Sequence, residues 1–137
     1  MEIRITHDGN ERDIEEIHRL LKAYNASRRE KAENIPIGIF CEDESGKKLA
    51  GLTGEVFGNW LCIKYLYVDE SLRGRGIGTD LIVRAEAEAR DRGCKYVFTD
   101  TFSFQAPGFY RKLNYKEVFV LNGYPYSEKR YYYTKEL

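Results

Sequence analysis

The sequence predicts an α/β fold: one mixed, mostly antiparallel sheet of six to seven strands with a central βαβ unit, flanked by helices. Three observations predict it. The chain has 137 residues, which suits one domain spanning residues 1–137. Short apolar runs with strand-forming residues alternate with stretches in which apolar residues recur every three or four positions. One strand, helix and strand follow each other in the middle of the chain, which is typical of a parallel crossover.

The first predicted elements are a short strand and a helix. Residues Ile3 to Thr6 alternate in polarity and predict the strand. Glu11 to Tyr24 carries apolar side chains at helical spacing and predicts the helix. Asn25 to Asn34 is polar and rich in both charges, so it holds either a second short helix or a loop before Ile35-Pro36 restarts extended chain.

Three antiparallel strands are predicted next. Ile37 to Glu42 and Lys48 to Phe57 flank the turn Asp43-Glu44-Ser45-Gly46 and form a hairpin. Gly58-Asn59 then turns the chain into a strand from Leu61 to Val68.

The βαβ unit follows a loop. Gly78 to Arg92 is predicted to be an amphipathic helix, with Gly93 at its C-terminal cap. Lys95 to Thr101 is the next strand and must run parallel to the strand before the helix. The inward side chains of the helix are predicted to be Leu81, Ile82, Ala85 and Ala89.

The remaining elements complete the sheet. Ala106 to Leu113 is predicted to be a short helix, ended by Asn114, because asparagine tolerates the left-handed cap. Two strands close the chain, near Tyr115 to Leu121 and Arg130 to Lys135.

The composition excludes several classes of protein. Lys plus Arg and Asp plus Glu both number 22, so the net charge is zero and general nucleic-acid binding is disfavoured. The three cysteines form no CxxC pair, which argues against a disulfide scaffold or a zinc cluster, and no metal site is predicted. No apolar run is long enough to span a membrane and no secretory signal is present, so a cytoplasmic protein without membrane contact is expected.

The sharpest motif is a glycine-rich turn between a strand and a helix, Leu66-Tyr67-Val68-Asp69-Glu70-Ser71-Leu72-Arg73-Gly74-Arg75-Gly76-Ile77-Gly78-Thr79. Such a turn lets main-chain N–H groups and a helix N-terminus converge on an anion. The dinucleotide fingerprint fails because Thr79 takes the place of its third glycine, and the P-loop fails because no Gly-Lys-Ser/Thr follows. The alternative is that these glycines only form a tight connection between the strand and the helix and bind no anion.

Two linked motifs resemble one family. Arg73-x-x-Gly76-x-Gly78 matches the Q/R-x-x-G-x-G/A signature of the GNAT superfamily of N-acetyltransferases. Further on, Phe109-Tyr110-Arg111-Lys112-Leu113-Asn114-Tyr115 resembles its F-Y-x-K-L-G-F segment, with Asn114 in place of the usual glycine. The chain is therefore identified as a small bacterial-type member with a GNAT-like fold.

The resemblance implies acetyl-CoA as cofactor, lying in a splayed gap between the fourth and fifth strands. Its pyrophosphate is expected on the glycine loop, and main-chain groups of Leu66 and Val68 are expected beside the pantetheine and thioester. Ser103 stands where many members have an asparagine that contacts the pantetheine arm, and Lys112 is a candidate contact to a coenzyme A phosphate. The expected pyrophosphate ligands are Arg73, Gly74, Arg75, Gly76, Gly78 and Thr79.

The resemblance also implies direct transfer to an amine. Tyr110 aligns with the family tyrosine that protonates the leaving thiolate, a role that suits a phenol. The candidate base is Glu55 or Asp100, with solvated strand charges as the plain alternative for either.

The predicted function is transfer of an acetyl group from acetyl-CoA to a primary amine of a small molecule or protein. The alternative is a non-catalytic acyl-CoA binding or sensing domain of the same fold. The acceptor, the choice of acyl group and the oligomeric state, including a homodimer, are left open by the sequence.

Overall fold

The computed structural model describes all of residues 1–137, which divide into two units, Met1–Ala32 and Glu33–Leu137. The prediction of one domain over the whole chain stays a prediction. No helix combines the length and the apolar character that a membrane span requires.

The first unit contains helix α1, Glu11–Ala26. Asn10 caps it, because its side-chain oxygen accepts hydrogen bonds from the main-chain N–H groups of Arg12 and Asp13. The predicted strand from Ile3 to Thr6 is wrong: its alternating pattern is present, but no partner strand pairs with it. Of the two structures predicted for the segment after α1, the loop is the one observed: residues 27–33 contain no second helix.

The second unit is built on one six-stranded sheet, which confirms the predicted fold class. The strand order is β1-β2-β3-β4-β6-β5, and β3 and β4 form the parallel pair, all other neighbours being antiparallel. The observed strands are β1 Asn34–Glu42, β2 Lys48–Phe57, β3 Trp60–Val68, β4 Tyr96–Phe102, β5 Lys116–Asn122 and β6 Lys129–Glu136.

Two helices connect the later strands. Helix α2, Ile77–Asp91, joins β3 to β4, and helix α3, Pro107–Lys112, lies between β4 and β5. Gly93 and Asn114 follow these helices with left-handed φ angles of 83° and 68°, as the sequence predicts for their caps. Each helix and strand that forms has boundaries within a few residues of its prediction.

The core lies between α2 and one face of the sheet, which we call the helical face. Small alanines let α2 approach closely, since Ala85 and Ala89 have no exposed surface. The strands contribute buried residues at alternate positions, such as Leu52 on β2 and Leu61 on β3. The predicted inward side chains of α2 are all buried: Leu81, Ile82, Ala85 and Ala89.

The other face of the sheet, which we call the second face, carries the side chains between these buried positions. It contains an apolar groove of about 720 Å³ lined by residues of β2 to β6, among them Trp60 and Phe98. None of the predicted site residues lines this groove.

Candidate active site

The parallel strands β3 and β4 separate soon after they meet. They share three residue pairs, ending at Cys62 and Phe98, so the edge of β3 from Ile63 to Val68 has no strand partner on that side. At the point of separation, the Thr99 hydroxyl donates a hydrogen bond of 3.2 Å to the Ile63 carbonyl. The sheet thus contains a gap whose closed end is marked by Thr99.

A β-bulge reshapes β3 beside this gap. Gly54 of β2 pairs with Ile63 while Thr53 pairs with Tyr65, which leaves Lys64 as the extra residue. A side chain at position 54 is excluded, because its Cβ would lie 2.2 Å from the Cys62 carbonyl oxygen. Beyond the bulge, Leu66 and Val68 return to the helical face and pack against the core.

The glycine loop runs from the end of β3 to the start of α2. Asp69 stabilises its first turn by accepting a 3.0 Å hydrogen bond from the Ser71 N–H, and hydrogen bonds from Ser71 lower the pKa of this carboxyl. Gly74 and Gly76 then adopt φ angles of 79° and 77°, which only glycine takes freely. The space where their Cβ atoms would lie is open.

Positive charge and helix geometry meet at this loop. Arg73 and Arg75 are exposed, and the Arg73 Nε donates a 3.2 Å hydrogen bond to the Val68 carbonyl, which holds that side chain at the end of β3. Helix α2 starts at Ile77, so its first main-chain N–H groups have no helical acceptor. Two arginines and a helix N-terminus therefore lie on one stretch of chain whose backbone is open at Gly74 and Gly76.

The two sequence motifs touch each other at Gly78. A Cβ at this position would lie 3.4 Å from the Phe109 ring, an ordinary van der Waals distance, so the first turn of α2 packs against α3 here. Phe109 precedes Tyr110, whose ring it meets edge-on at 5.1 Å. Phe109 therefore lies between the first turn of α2 and the Tyr110 ring.

Tyr110 is a buried phenol, only 5% exposed, and its hydroxyl shares a side-chain hydrogen bond with Thr99. It therefore lies at the closed end of the gap between β3 and β4. Burial raises the pKa of Tyr110, an effect that the Thr99 hydrogen bond lowers in part and the charge of Asp100 increases. The group is a neutral proton carrier at physiological pH.

The two candidate bases lie on the second face. Glu55 forms an ion pair of 3.2 Å with Lys64, and Asp100 forms one of 2.7 Å with Arg130. Both carboxylates are close to the Cys62 thiol, whose pKa is raised first by burial and then by the charge of Glu55. The structure thus brings the two carboxylates to the same region of the sheet, and gives each a cationic partner.

Three predicted contact residues have different surroundings. Ser103 lies past the end of β4, where its hydroxyl contacts the Glu128 carboxylate and accepts a 3.1 Å hydrogen bond from the Lys129 N–H. Lys112 is exposed on α3, and Thr79 is half-buried in the first turn of α2. Only Thr79 belongs to the glycine loop itself.

Sequence reasoning missed the polar groups that surround Tyr110. Thr99 contacts it directly, while Tyr115 packs on its ring and donates a hydrogen bond to Glu86. These partners come from β4, α2 and the chain after α3. One signal was available, because a glutamate at position 86 falls between the inward alanines of an amphipathic helix and needs a buried partner.

Comparisons with known proteins agree with this arrangement. Residues 36–117 match the family model described as an acetyltransferase (GNAT) domain. The blasticidin-S acetyltransferase of Streptomyces morookaense is 41% identical over 95 residues, which cover 69% of this chain and 70% of that protein.

Solved structures extend the likeness to almost the whole chain. A Bacillus cereus acetyltransferase structure is 32% identical, covers 98% of both chains and superposes with a TM-score of 0.86. An aminoglycoside 6'-N-acetyltransferase complexed with coenzyme A is 18% identical, covers 99% of this chain and 97% of its own, and shares the fold with a TM-score of 0.64. The family match and the acetyltransferase relatives confirm the enzyme interpretation over the sensing alternative, and the chain belongs to the GNAT family of acetyltransferases.

Proposed function

We propose that this enzyme transfers the acetyl group of acetyl-CoA to a primary amine, with the gap between β3 and β4 as its reaction site. The observation that carries the proposal is the placement of three features along one gap: an unpaired strand edge, a buried phenol at its closed end and an open glycine loop beyond its other end. Each feature supplies one requirement of the reaction.

The glycine loop fits the pyrophosphate of acetyl-CoA. Gly74 and Gly76 leave the backbone open to close approach, while Arg73 and Arg75 supply positive charge. Gly78 and Thr79 complete the ligand set at the first turn of α2. When bound, acetyl-CoA supplies the thioester that is cleaved.

The edge of β3 fits an extended arm. Main-chain groups near Leu66 and Val68 would contact the pantetheine, and one N–H there would donate to the oxyanion that forms when the amine attacks. Ser103 and Lys112 are the further candidate contacts to the arm and to a phosphate. The Ser103 hydroxyl would have to leave Glu128 to take part.

Tyr110 would act as the general acid. Its raised pKa keeps the proton on the phenol until a thiolate forms beside it, and the proton then passes from the Tyr110 oxygen to the coenzyme A sulfur. Glu55 or Asp100 would accept the proton that the amine loses, directly or through water. Both stay candidates, since each carboxylate has the same kind of ion-paired setting.

The acceptor is a primary amine of a small molecule or of a protein. The relative from Streptomyces is named for blasticidin S, which makes that compound the first acceptor to test, beside a lysine-containing peptide. A homodimer, the absence of nucleic-acid and membrane partners, and a cytoplasmic location all stay predictions.

The experiment compares coenzyme A release by wild type, Tyr110→Phe and the control Tyr96→Phe with these amines. Tyr96 is a half-buried tyrosine at the start of β4, packed on Trp60 and away from the gap. Loss of a general acid should lower kcat about 100-fold in Tyr110→Phe, with the Kd for coenzyme A little changed. Equal kcat values in all three proteins would remove Tyr110 from the mechanism.

A further inference from the structure

A buried carboxylate lies behind Tyr110. Glu86 of α2 is 4% exposed and is the one charged residue in the buried core. The Tyr115 hydroxyl donates a 2.8 Å hydrogen bond to its Oε2, and the Lys135 Nζ lies 2.9 Å from the same oxygen. A buried charge is tolerated only with such partners, so Glu86 strongly favours the observed positions of both side chains.

Tyr115 links this carboxylate to the proposed acid. Its ring meets the Tyr110 ring edge-on at a centroid distance of 5.6 Å, and its N–H donates a 3.0 Å hydrogen bond to the Tyr110 carbonyl. The Lys135 Nζ lies 5.4 Å from the centre of the Tyr115 ring. Tyr115 is therefore fixed from α2, from α3 and from β6.

The two phenols have different tasks. Burial, and then the charge of Glu86, strongly raise the pKa of Tyr115, so this residue is always a neutral donor to Glu86. Giving up that hydrogen bond would leave the buried carboxylate with Lys135 alone. Tyr110 instead shares its hydrogen bond with a neutral threonine at the gap, so breaking this bond leaves no buried charge without a partner.

The orientation of Tyr110 depends on its aromatic neighbours. Its ring is stacked on Tyr133 at 5.8 Å and meets Phe109 and Tyr115 edge-on. Of these neighbours, Tyr115 is the one whose hydroxyl donates to a buried carboxylate. An error of about 1 Å in the phenol oxygen is enough to cost up to about 100-fold in rate.

We propose that Tyr115, anchored by Glu86 and Lys135, is a positioning residue that aligns the Tyr110 phenol for proton transfer to the leaving sulfur. The inference rests on the proposed role of Tyr110. It differs from a purely structural role, because it requires that the contribution of Tyr115 to kcat disappear when Tyr110 can no longer donate a proton.

A double-mutant cycle tests this requirement with Tyr110→Phe, Tyr115→Phe and the double variant. Tyr115→Phe should lower kcat about 10-fold while KM for acetyl-CoA changes less than about twofold. In the Tyr110→Phe background, the same substitution should change kcat less than about twofold. Tyr131→Phe is the matched control, since Tyr131 packs on Tyr133 in β6 but not on Tyr110.

Glu86 supplies a second variant. Glu86→Gln keeps an oxygen that accepts from Tyr115, so its kcat should stay within about threefold of wild type, whereas Glu86→Ala should fall as far as Tyr115→Phe. Circular dichroism and Tm for each protein separate loss of fold from loss of alignment.

The outcomes are distinct. An equal fall of kcat in both backgrounds, or a lower Tm with unchanged kcat, would overturn the positioning role and leave Tyr110 as the acid. An unchanged kcat in Tyr110→Phe would instead overturn the proposed function on which the inference rests. If Tyr115→Phe lowers kcat only where Tyr110 is intact, the result supports both the positioning role of Tyr115 and the proposed function.

Discussion

Gly76 shows how much can depend on one residue. Its φ of 77° lies in the left-handed region, and it directly precedes the first residue of α2. A Cβ added here would meet open space, so the strain of a substitution comes from the left-handed φ and not from a packing clash at the Cβ. A substitution at this position therefore tests the binding of an anion with little direct steric effect on packing.

We expect Gly76→Asp to weaken coenzyme A binding at least 10-fold, because the new carboxylate would face the pyrophosphate across a short distance. Gly76→Asn is the matched control: asparagine has nearly the same shape, tolerates left-handed φ and carries no charge. Its Kd should rise only a few-fold. Titration calorimetry with coenzyme A measures both, and equal Kd values for the two variants would contradict the phosphate assignment.

At the scale of single residues, the sequence predicted which residues are candidates for the site better than it predicted the partners of those residues. Tyr110 and the glycine loop stand out because they follow fixed spacings along the chain. The Thr99 hydroxyl could not be predicted, since its acceptor Ile63 is far away in sequence and depends on strand register. The anchoring of Tyr115 by Glu86 has the same origin, because it needs α2 and the end of α3 to be packed first.

Among the elements, the β2–β3 ladder has the strictest local requirement. Beside its bulge at Lys64, the Cys62 carbonyl lies so close to Gly54 that no side chain fits at that position. Glycine inside a strand is otherwise unfavourable, so a strand glycine is itself a signal of a bulge.

We expect Gly54→Ala to destabilise the fold by about 1–3 kcal/mol, because its Cβ would collide with backbone that cannot move without breaking the ladder. Gly108→Ala is the control, since Gly108 is exposed in α3 and has open space around it, so alanine should be neutral or slightly stabilising. Urea unfolding of the variants gives both values. A Gly54→Ala protein as stable as wild type would show that the strands can shift their register.

Elements were predicted well where local pattern decides their structure, as for the inward face of α2 and the hairpin of β1 and β2. The strand expected from Ile3 to Thr6 failed for a different reason. A strand is completed by a neighbour, and alternation along one segment does not show whether a neighbour is present. The separation of β3 from β4 was expected from family resemblance alone, because no local pattern marks it.

For the whole molecule, burial of several phenols predicts how stability depends on pH. The pKa values of Tyr110, Tyr115 and Tyr133 are all raised, with burial as the first cause in each. The folded state therefore holds these protons more tightly than the unfolded state, in which a tyrosine has a pKa of about 10. Above that pH the unfolded state binds fewer protons, so stability falls as pH rises.

We expect the contribution of the buried tyrosines to the free energy of unfolding to be nearly constant up to about pH 9. Above about pH 10 this contribution, and the free energy of unfolding with it, should decrease steadily. The decrease should be shallower in Tyr115→Phe, which lacks the phenol with the largest shift. Urea titrations between pH 8 and pH 11 measure both slopes. Identical slopes for wild type and Tyr115→Phe would contradict the assignment of Tyr115 as a linked group.

The short pairing of β3 with β4 has one more consequence. Free hydrogen-bonding edges normally lie at the outside of a sheet, where they invite pairing with other chains. Here an additional edge lies in the interior of the sheet, flanked by β4 on its far side. Another polypeptide can reach it only by entering the gap between β3 and β4, so this edge is less open to pairing with other chains than an edge at the outside of the sheet.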